Sequence, residues 1–150
     1  MEKIDANKVF IDTNVLVYAS LINSPFHSVE KDKISKFASS EYELSISRQV
    51  IREYIAVITK QLALEINYSI EEILISTYRF CNQFNIADEN HITSDLLMLL
   101  VKQYNIIGKN VHDCNIVAIM KQNNIKNILT HNIKDFIRYS SSDINTIPLM

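Results

Sequence analysis

The chain has 150 residues, 47% of them apolar and 21% charged, with a net charge of −2. That is the length of one domain with enough apolar material for a core, in the composition range of soluble globular proteins. No apolar run approaches the roughly 18 residues of a membrane span, the polar start MEKIDANK is not a secretory signal, and the small negative charge gives no blanket affinity for nucleic acid. Cys81 and Cys114 are the only cysteines and lack CxxC or ligand spacing. They read as free thiols of a reducing cytosol, with a disulfide as the alternative. A single glycine, Gly108, excludes Gly-rich phosphate loops, so any phosphate chemistry must rest on side chains and metal.

Val9–Phe10–Ile11 is an apolar run without helical spacing and predicts a buried strand. Asp12–Thr13–Asn14 follows with N-cap chemistry, and Val15 to Ile22 continues as a helix up to the break at Asn23–Ser24–Pro25. His27 to Ser39 is amphipathic, with Val29, Ile34 and Phe37 inside and Lys31, Lys33 and Lys36 on the wet side. Leu44–Ser45–Ile46 predicts a second strand, and Arg48 to Ala63 a helix in which Val50, Ile51, Tyr54, Ile55, Ile58 and Leu62 keep helical spacing. Ser69 caps a helix to about Asn82. Asn85–Ile86 is a short third strand.

Ile92 to Tyr104 is a further helix carrying Leu96, Leu97, Leu99, Leu100 and Val101, with Met98 read as core filler along with Met120. Gly108 follows in a turn, and His112–Asp113 opens a helix whose Ile116, Val117, Ile119 and Met120 face inward. Asn127–Ile128–Leu129 is a strand, Ile133 to Arg138 a short helix, and Ile144 to Ile147 a closing strand. Short strands alternating with helices imply a three-layer α/β/α sandwich around a short-stranded parallel sheet. No repeat or linker divides residues 1–150, so one domain is expected.

Ligands of open parallel sheets lie at the carboxyl ends of the strands, and acids stand at those places. Asp12 ends the first strand, Asp113 opens a helix, Asp135 lies just past the Asn127–Leu129 strand, and Glu53 sits on the first turns of the helix after the second strand. Each has a structural alternative. Asp12, Asp113 and Asp135 suit caps, worth about 1 kcal/mol each, and Glu53 suits a surface pair with Arg52. Together they form a different pattern, because like charges 4 Å apart repel by roughly 4 kcal/mol at an effective dielectric of 20. Four gathered carboxylates need a cation or must hold protons, and oxygen ligation points to Mg²⁺ or Mn²⁺. Such a cluster would leave the remaining surface net positive. Arg48 and Arg52 near Glu53, and Lys134 and Arg138 around Asp135, are candidate phosphate contacts, with a solvated helix face as the alternative for each. The four histidines show no zinc spacing. His112 and His131 read as polar residues at the crevice edge.

The stretches FIDTNVLVYA, SRQVIREYIAVITK and NVHDCNIVAIMKQNNIKNILTHNIKDF together resemble the PIN domain, most closely the VapC-type ribonuclease toxins of bacterial toxin–antitoxin pairs. The resemblance runs from Val9 to Ile147, with 65–90 the least matched stretch. It implies a parallel sheet between helices, a Mg²⁺ or Mn²⁺ site built from acids, and hydrolysis of RNA phosphodiesters. The family's motif acids fall on Asp12, Glu53 and Asp113, and its polar helpers on Asn14, Thr130 and Asn132. Many relatives carry an acid two residues after the threonine, where this chain has Asn132. The next acid is Asp135, and either residue is a candidate to complete the site.

The free-thiol reading of the cysteines implies a cytoplasmic protein, and the resemblance implies a cognate antitoxin docking near the Val15–Ile22 and His27–Ser39 helices, and a homodimer. A non-catalytic PIN scaffold that binds RNA or protein, and a DNA-directed structure-specific nuclease, are the competing functions. A receiver-like signalling module would need an acid pair by the first strand and a lysine after a late one, and this sequence has neither.

Overall fold

The computed structural model describes residues 7–21, 27–62 and 68–147. Five strands form a single parallel sheet in the order β3-β2-β1-β4-β5. They are β1 (Lys8–Ile11), β2 (Glu43–Ile46), β3 (Asn85–Ile86), β4 (Asn127–Leu129) and β5 (Asn145–Ile147). In β1, Val9, Phe10 and Ile11 are all fully buried, as a central strand covered on both faces requires. Phe10 lies between Ser45 of β2 and Ile128 of β4. The two-residue β3 is exposed at one edge of the sheet.

The helices are α1 (Thr13–Ser20), α2 (His27–Ser39), α3 (Arg48–Leu62), α4 (Ile70–Cys81), α5 (His91–Tyr104), α6 (Asn110–Gln122) and α7 (Ile133–Phe136), and a 3₁₀ turn (Ile137–Ser142) follows α7. Helices α1 to α4 pack as a chain of neighbours, with α1 touching both α2 and α3 and α3 touching α4, while α6 touches α5 and α7. The starts follow local chemistry. Ser47 Oγ accepts from Val50 N at the head of α3. Ser69 and Glu72 form a reciprocal capping box on α4, a device that satisfies two otherwise orphaned N–H groups. Cys81 and Cys114 are both free and buried.

The expected elements are all present, with small shifts of boundary. The first helix ends at Ser20, with Leu21 as its C-cap. Ile22, the break at Asn23–Ser24–Pro25, Ala63 and residues 1–6 lie outside the described residues. Two expectations are corrected. Helix α6 begins at Asn110, its N-cap Lys109 makes no side-chain cap bond, and Asp113 is in the first turn. Gly108 at φ +64° makes the turn just before it, a conformation that favours glycine, and the chain enters the helix at once, so Asp113 is not a cap. Met120 is fully buried as expected, but Met98 is 63% exposed. The face of α5 that turns inward carries Thr93 and Leu100, which leaves Met98 outside the core.

Candidate active site at the carboxyl ends of β1 and β4

The strand order reverses between β1 and β4. At such a switch point the crossovers leave in opposite directions and open a crevice beyond the strand ends. Asp12 and Thr130 stand there, one residue past β1 and β4 respectively. The Asp12 N–H extends the ladder by bonding Leu129 O at 3.0 Å. Asp12 Oδ1 accepts from Thr13 N at 2.8 Å, and Oδ2 accepts from Thr130 Oγ1 at 2.8 Å. The Thr130 hydroxyl in turn accepts from Asn132 N at 2.9 Å. Asp12 is therefore the N-cap of α1 and a fixed wall of the crevice at once.

Glu53 comes from α3 and is tied to the same centre. Thr13 Oγ1 donates to its Oε2 at 2.9 Å, and Gln49 Nε2 donates to its Oε1 at 2.8 Å. These partners replace the surface pair with Arg52 considered from the sequence. Gln49, only 4% exposed, also donates to His112 O at 2.9 Å and accepts from Asn115 Nδ2 at 2.7 Å. Glu89 bonds both Gln49 N and Asn115 Nδ2. Gln49 thus joins the helix of Glu53 to the helix of Asp113. Thr13, Gln49, Glu89 and Asn115 were not foreseen from the sequence.

Burial pushes the Asp12 carboxyl up to about 6; the Thr130 and Thr13 bonds oppose the rise, and the charges of Asp113 and Glu53 add to it. Burial likewise raises Asp113 to about 6, reinforced by Asp135 and Glu53 and opposed by His112 and Arg138. The four acids thus form one electrostatically linked set. Asp135 is half-buried on α7, where its N–H bonds Asn132 O at 3.0 Å. Asn132 is exposed and caps α7 without a side-chain bond. Of the two candidates after Thr130, it is Asp135 whose charge reaches Asp113.

Asn14 Oδ1 accepts from His131 N at 3.2 Å, which fixes the loop after β4. His131 itself reaches into the protein. Its Nε2 meets Oε1 of Glu30, a fully buried residue of α2, and Tyr18 packs edge-on against its ring with centroids 4.8 Å apart. Burial raises the Glu30 carboxyl to about 7 and lowers the His131 imidazole.

A cleft of about 630 Å³ is lined by Glu53 and Asp113 together with Gln49, Arg52, Leu97, Val111, His112 and Asn115. Of the expected cationic guides, Arg52 lines this cleft and Arg138 lies near enough to influence Asp113. Arg48 and Lys134 are exposed at the starts of α3 and α7 and are not part of the cleft lining.

Among the described residues, no three His, Cys, Asp or Glu side chains are drawn closely enough together to form a ready metal cage. The donor chemistry nevertheless fits a hard divalent cation. The side-chain donors are carboxylate oxygens; burial raises Asp12 and Asp113, the charges of Glu53, Asp113 and Asp135 add to that rise, and a cation relieves such repulsion.

A parallel sheet carrying linked acids at its switch point defines an α/β protein with an acidic crevice as its candidate site. The family model of the PIN domain matches residues 9–141, and the chain belongs to that family. Among solved structures, VapBC2 from Rickettsia felis bound to a DNA fragment from their promoter is similar at 22% identity and TM-score 0.69, over 93% of this chain and 97% of that one. A toxin–antitoxin complex from Klebsiella pneumoniae is similar at 17% identity and TM-score 0.65, over 95% and 98%. Mycobacterium tuberculosis VapC20, a sarcin–ricin loop cleaving toxin, is similar at 13% identity and TM-score 0.61, over 91% and 95%. These likenesses establish the shared fold. Comparison with curated protein sequences gives no match.

Proposed function

We propose that this chain is a metal-dependent endoribonuclease and the toxin of a toxin–antitoxin pair, with its 150 residues forming one nuclease domain. The observation that carries the reading is the linked set Asp12, Glu53, Asp113 and Asp135, of which Asp12 and Asp113 are pushed up to about 6 beside their neighbours. Membership of the PIN family and the fold shared with toxin–antitoxin proteins support the same reading.

Asp12 and Asp113 would hold a Mg²⁺ or Mn²⁺ ion, with Asp135 completing the acidic site. When bound, such an ion lowers the pKa of water and neutralises charge growing on the phosphate. The protein's own residues do the rest. Thr13 and Thr130 hold both oxygens of Asp12 in place, and a carboxylate fixed by such partners needs little reorganisation to do its work. Gln49 and Thr13 orient Glu53, which accepts the proton of the water attacking the phosphodiester. Arg52 and Arg138 meet the RNA phosphates. Asn132 steadies Thr130 through its backbone.

An antitoxin is the expected partner, and it would cover the crevice from the side of α1 and α2. A homodimer and a cytoplasmic location belong to the same reading. Among the described residues, no helix is long and apolar enough to cross a membrane.

The test is cleavage of a structured RNA by purified protein with EDTA, Mg²⁺ or Mn²⁺, comparing wild type with Asp12→Asn. Cleavage only with metal, lost in the variant, is the expected result. Equal cleavage by both proteins would assign the activity to a contaminant and reject the reading.

A further inference from the structure

The acids are only part of the cleft lining, and the rest is chemically different. Besides Glu53 and Asp113 the lining includes Leu97 of α5 and Val111 of α6, together with His112 and Arg52. Leu97 and Val111 are half-buried, while His112 and Arg52 are exposed. Apolar walls do nothing for a phosphate or a cation. They suit a flat, weakly hydrated group, and both imidazole and guanidinium planes stack on nucleobases. The volume of about 630 Å³ falls within the range of small-molecule pockets, roughly 300–1,000 Å³.

The cleft also carries a fixed hydrogen-bonding edge. Asn115 lines it, and its amino group donates to Gln49 Oε1 at 2.7 Å and Glu89 Oε2 at 3.2 Å. An amide has two N–H donors and one carbonyl acceptor, so its carbonyl is the part able to meet a ligand. Such an acceptor, on an amide held by two partners, matches the exocyclic amine of a base.

We propose that this cleft between α3, α5 and α6 is a nucleobase subsite, which takes the base next to the scissile phosphate and so selects the cleavage position. The inference rests on the nuclease reading above and deepens it. His112 and Asp113 are neighbours in sequence, so a base stacked on His112 places its own phosphate beside the acids. Leu97 and Val111 exclude water from the stacked face. Base selection then comes from the Asn115 carbonyl and the shape of the apolar walls.

The test uses one RNA cut by the wild type, and the same RNA with a single abasic ribose moved through the positions flanking the cut. Wild type should lose about tenfold in cleavage rate at one flanking position and little at the others, in keeping with the stacking contribution of a single base. His112→Ala and Leu97→Ala should each shrink that penalty to under twofold and flatten the base preference among the cut ends of a randomised RNA. His112 is exposed, so its variant separates loss of stacking from loss of fold. Binding of the same RNAs in EDTA, followed by fluorescence anisotropy, reads the subsite without cleavage. A wild type that cleaves with no position-specific abasic penalty overturns the subsite and leaves the nuclease reading intact. So do variants that keep the full penalty. A wild type that cleaves nothing, yet binds with the penalty, sinks the nuclease reading and the selection of a cleavage position, and keeps only a base-binding cleft. If it neither cleaves nor binds, both fall.

Discussion

Asp12 is held in two ways that pull its pKa in opposite directions. Burial and the charges of Asp113 and Glu53 raise it, while the bonds from Thr130 and Thr13 lower it, and the outcome is about 6. Thr130→Val removes one of the lowering bonds at almost constant volume. The variant should lose about 1 kcal/mol of stability, and the acid limb of its pH–activity curve should move to higher pH, which a pH–rate profile will read. The same balance sets stability. A carboxyl raised from 3.8 to about 6 in the folded protein binds more protons folded than unfolded, so the metal-free protein loses stability as pH rises from about 4 through 6. Glu30, raised to about 7, adds to this trend, and His131, lowered by burial, opposes it as a single group against three carboxyls. Melting temperatures without metal should therefore fall between pH 5 and pH 7, and millimolar Mn²⁺ should restore them at pH 7 but not at pH 5. A metal-free melting curve indifferent to pH would contradict this. Glu30 itself was illegible in the sequence. Between Val29 and Lys31 it reads as an exposed acid of a helix's first turn, and the His131 that it meets comes from the far end of the chain. Glu30→Ala removes a fully buried polar side chain that meets His131 and should cost about 1–3 kcal/mol in a urea titration, and Glu30→Gln clearly less.

At the scale of elements, the ends of the strands decide what the helices present. Helix α6 starts at Asn110 with Lys109 as its N-cap, so Asp113 lies in the first turn and makes no cap. Asp113→Asn should therefore spare the fold. At pH 7 without metal it should even stabilise slightly, because a repelled carboxylate is gone, while RNA cleavage falls at least a hundredfold. Unchanged cleavage would reduce Asp113 to a surface acid. Helix α7 makes a parallel case. Its Asp135 acts on Asp113, so Asp135→Asn should raise the Mg²⁺ concentration needed for half activity, and Asn132→Asp, which restores a carboxylate beside Thr130, should lower it. Strand β1 was legible because Val9, Phe10 and Ile11 form an unbroken apolar run that only a strand covered on both faces buries completely. The orientation of α5 was not. Its LLMLLV run, residues 96–101, is apolar all round, so periodicity cannot say which side packs, and Met98 and Leu99 proved exposed. Gln49 escaped notice for a related reason. An amide on the first turn of a helix resembles any polar surface residue until the contacts to Glu53, His112 and Asn115 are known.

For the whole molecule, the order β3-β2-β1-β4-β5 brings together residues from both ends of the chain. Asp12 belongs to the first motif and Thr130 to the last, yet they share a bond of 2.8 Å. Asp12 was readable in sequence because it ends the first apolar strand, whereas Glu53, Asp113 and Asp135 lie within helices. Their convergence depends on strand order, which no local pattern encodes. Acids that repel one another in the folded state store a tendency to take up a cation, and that tendency can be measured without any substrate. Isothermal titration of metal-free protein with Mn²⁺ at pH 7 should show saturable binding in the micromolar to millimolar range. Asp12→Asn and Asp113→Asn should each weaken it at least tenfold, with proton release growing as the buffer pH is lowered towards 6. Absence of binding by the wild type, or binding that both variants retain in full, would show that these carboxylates do not form a metal site.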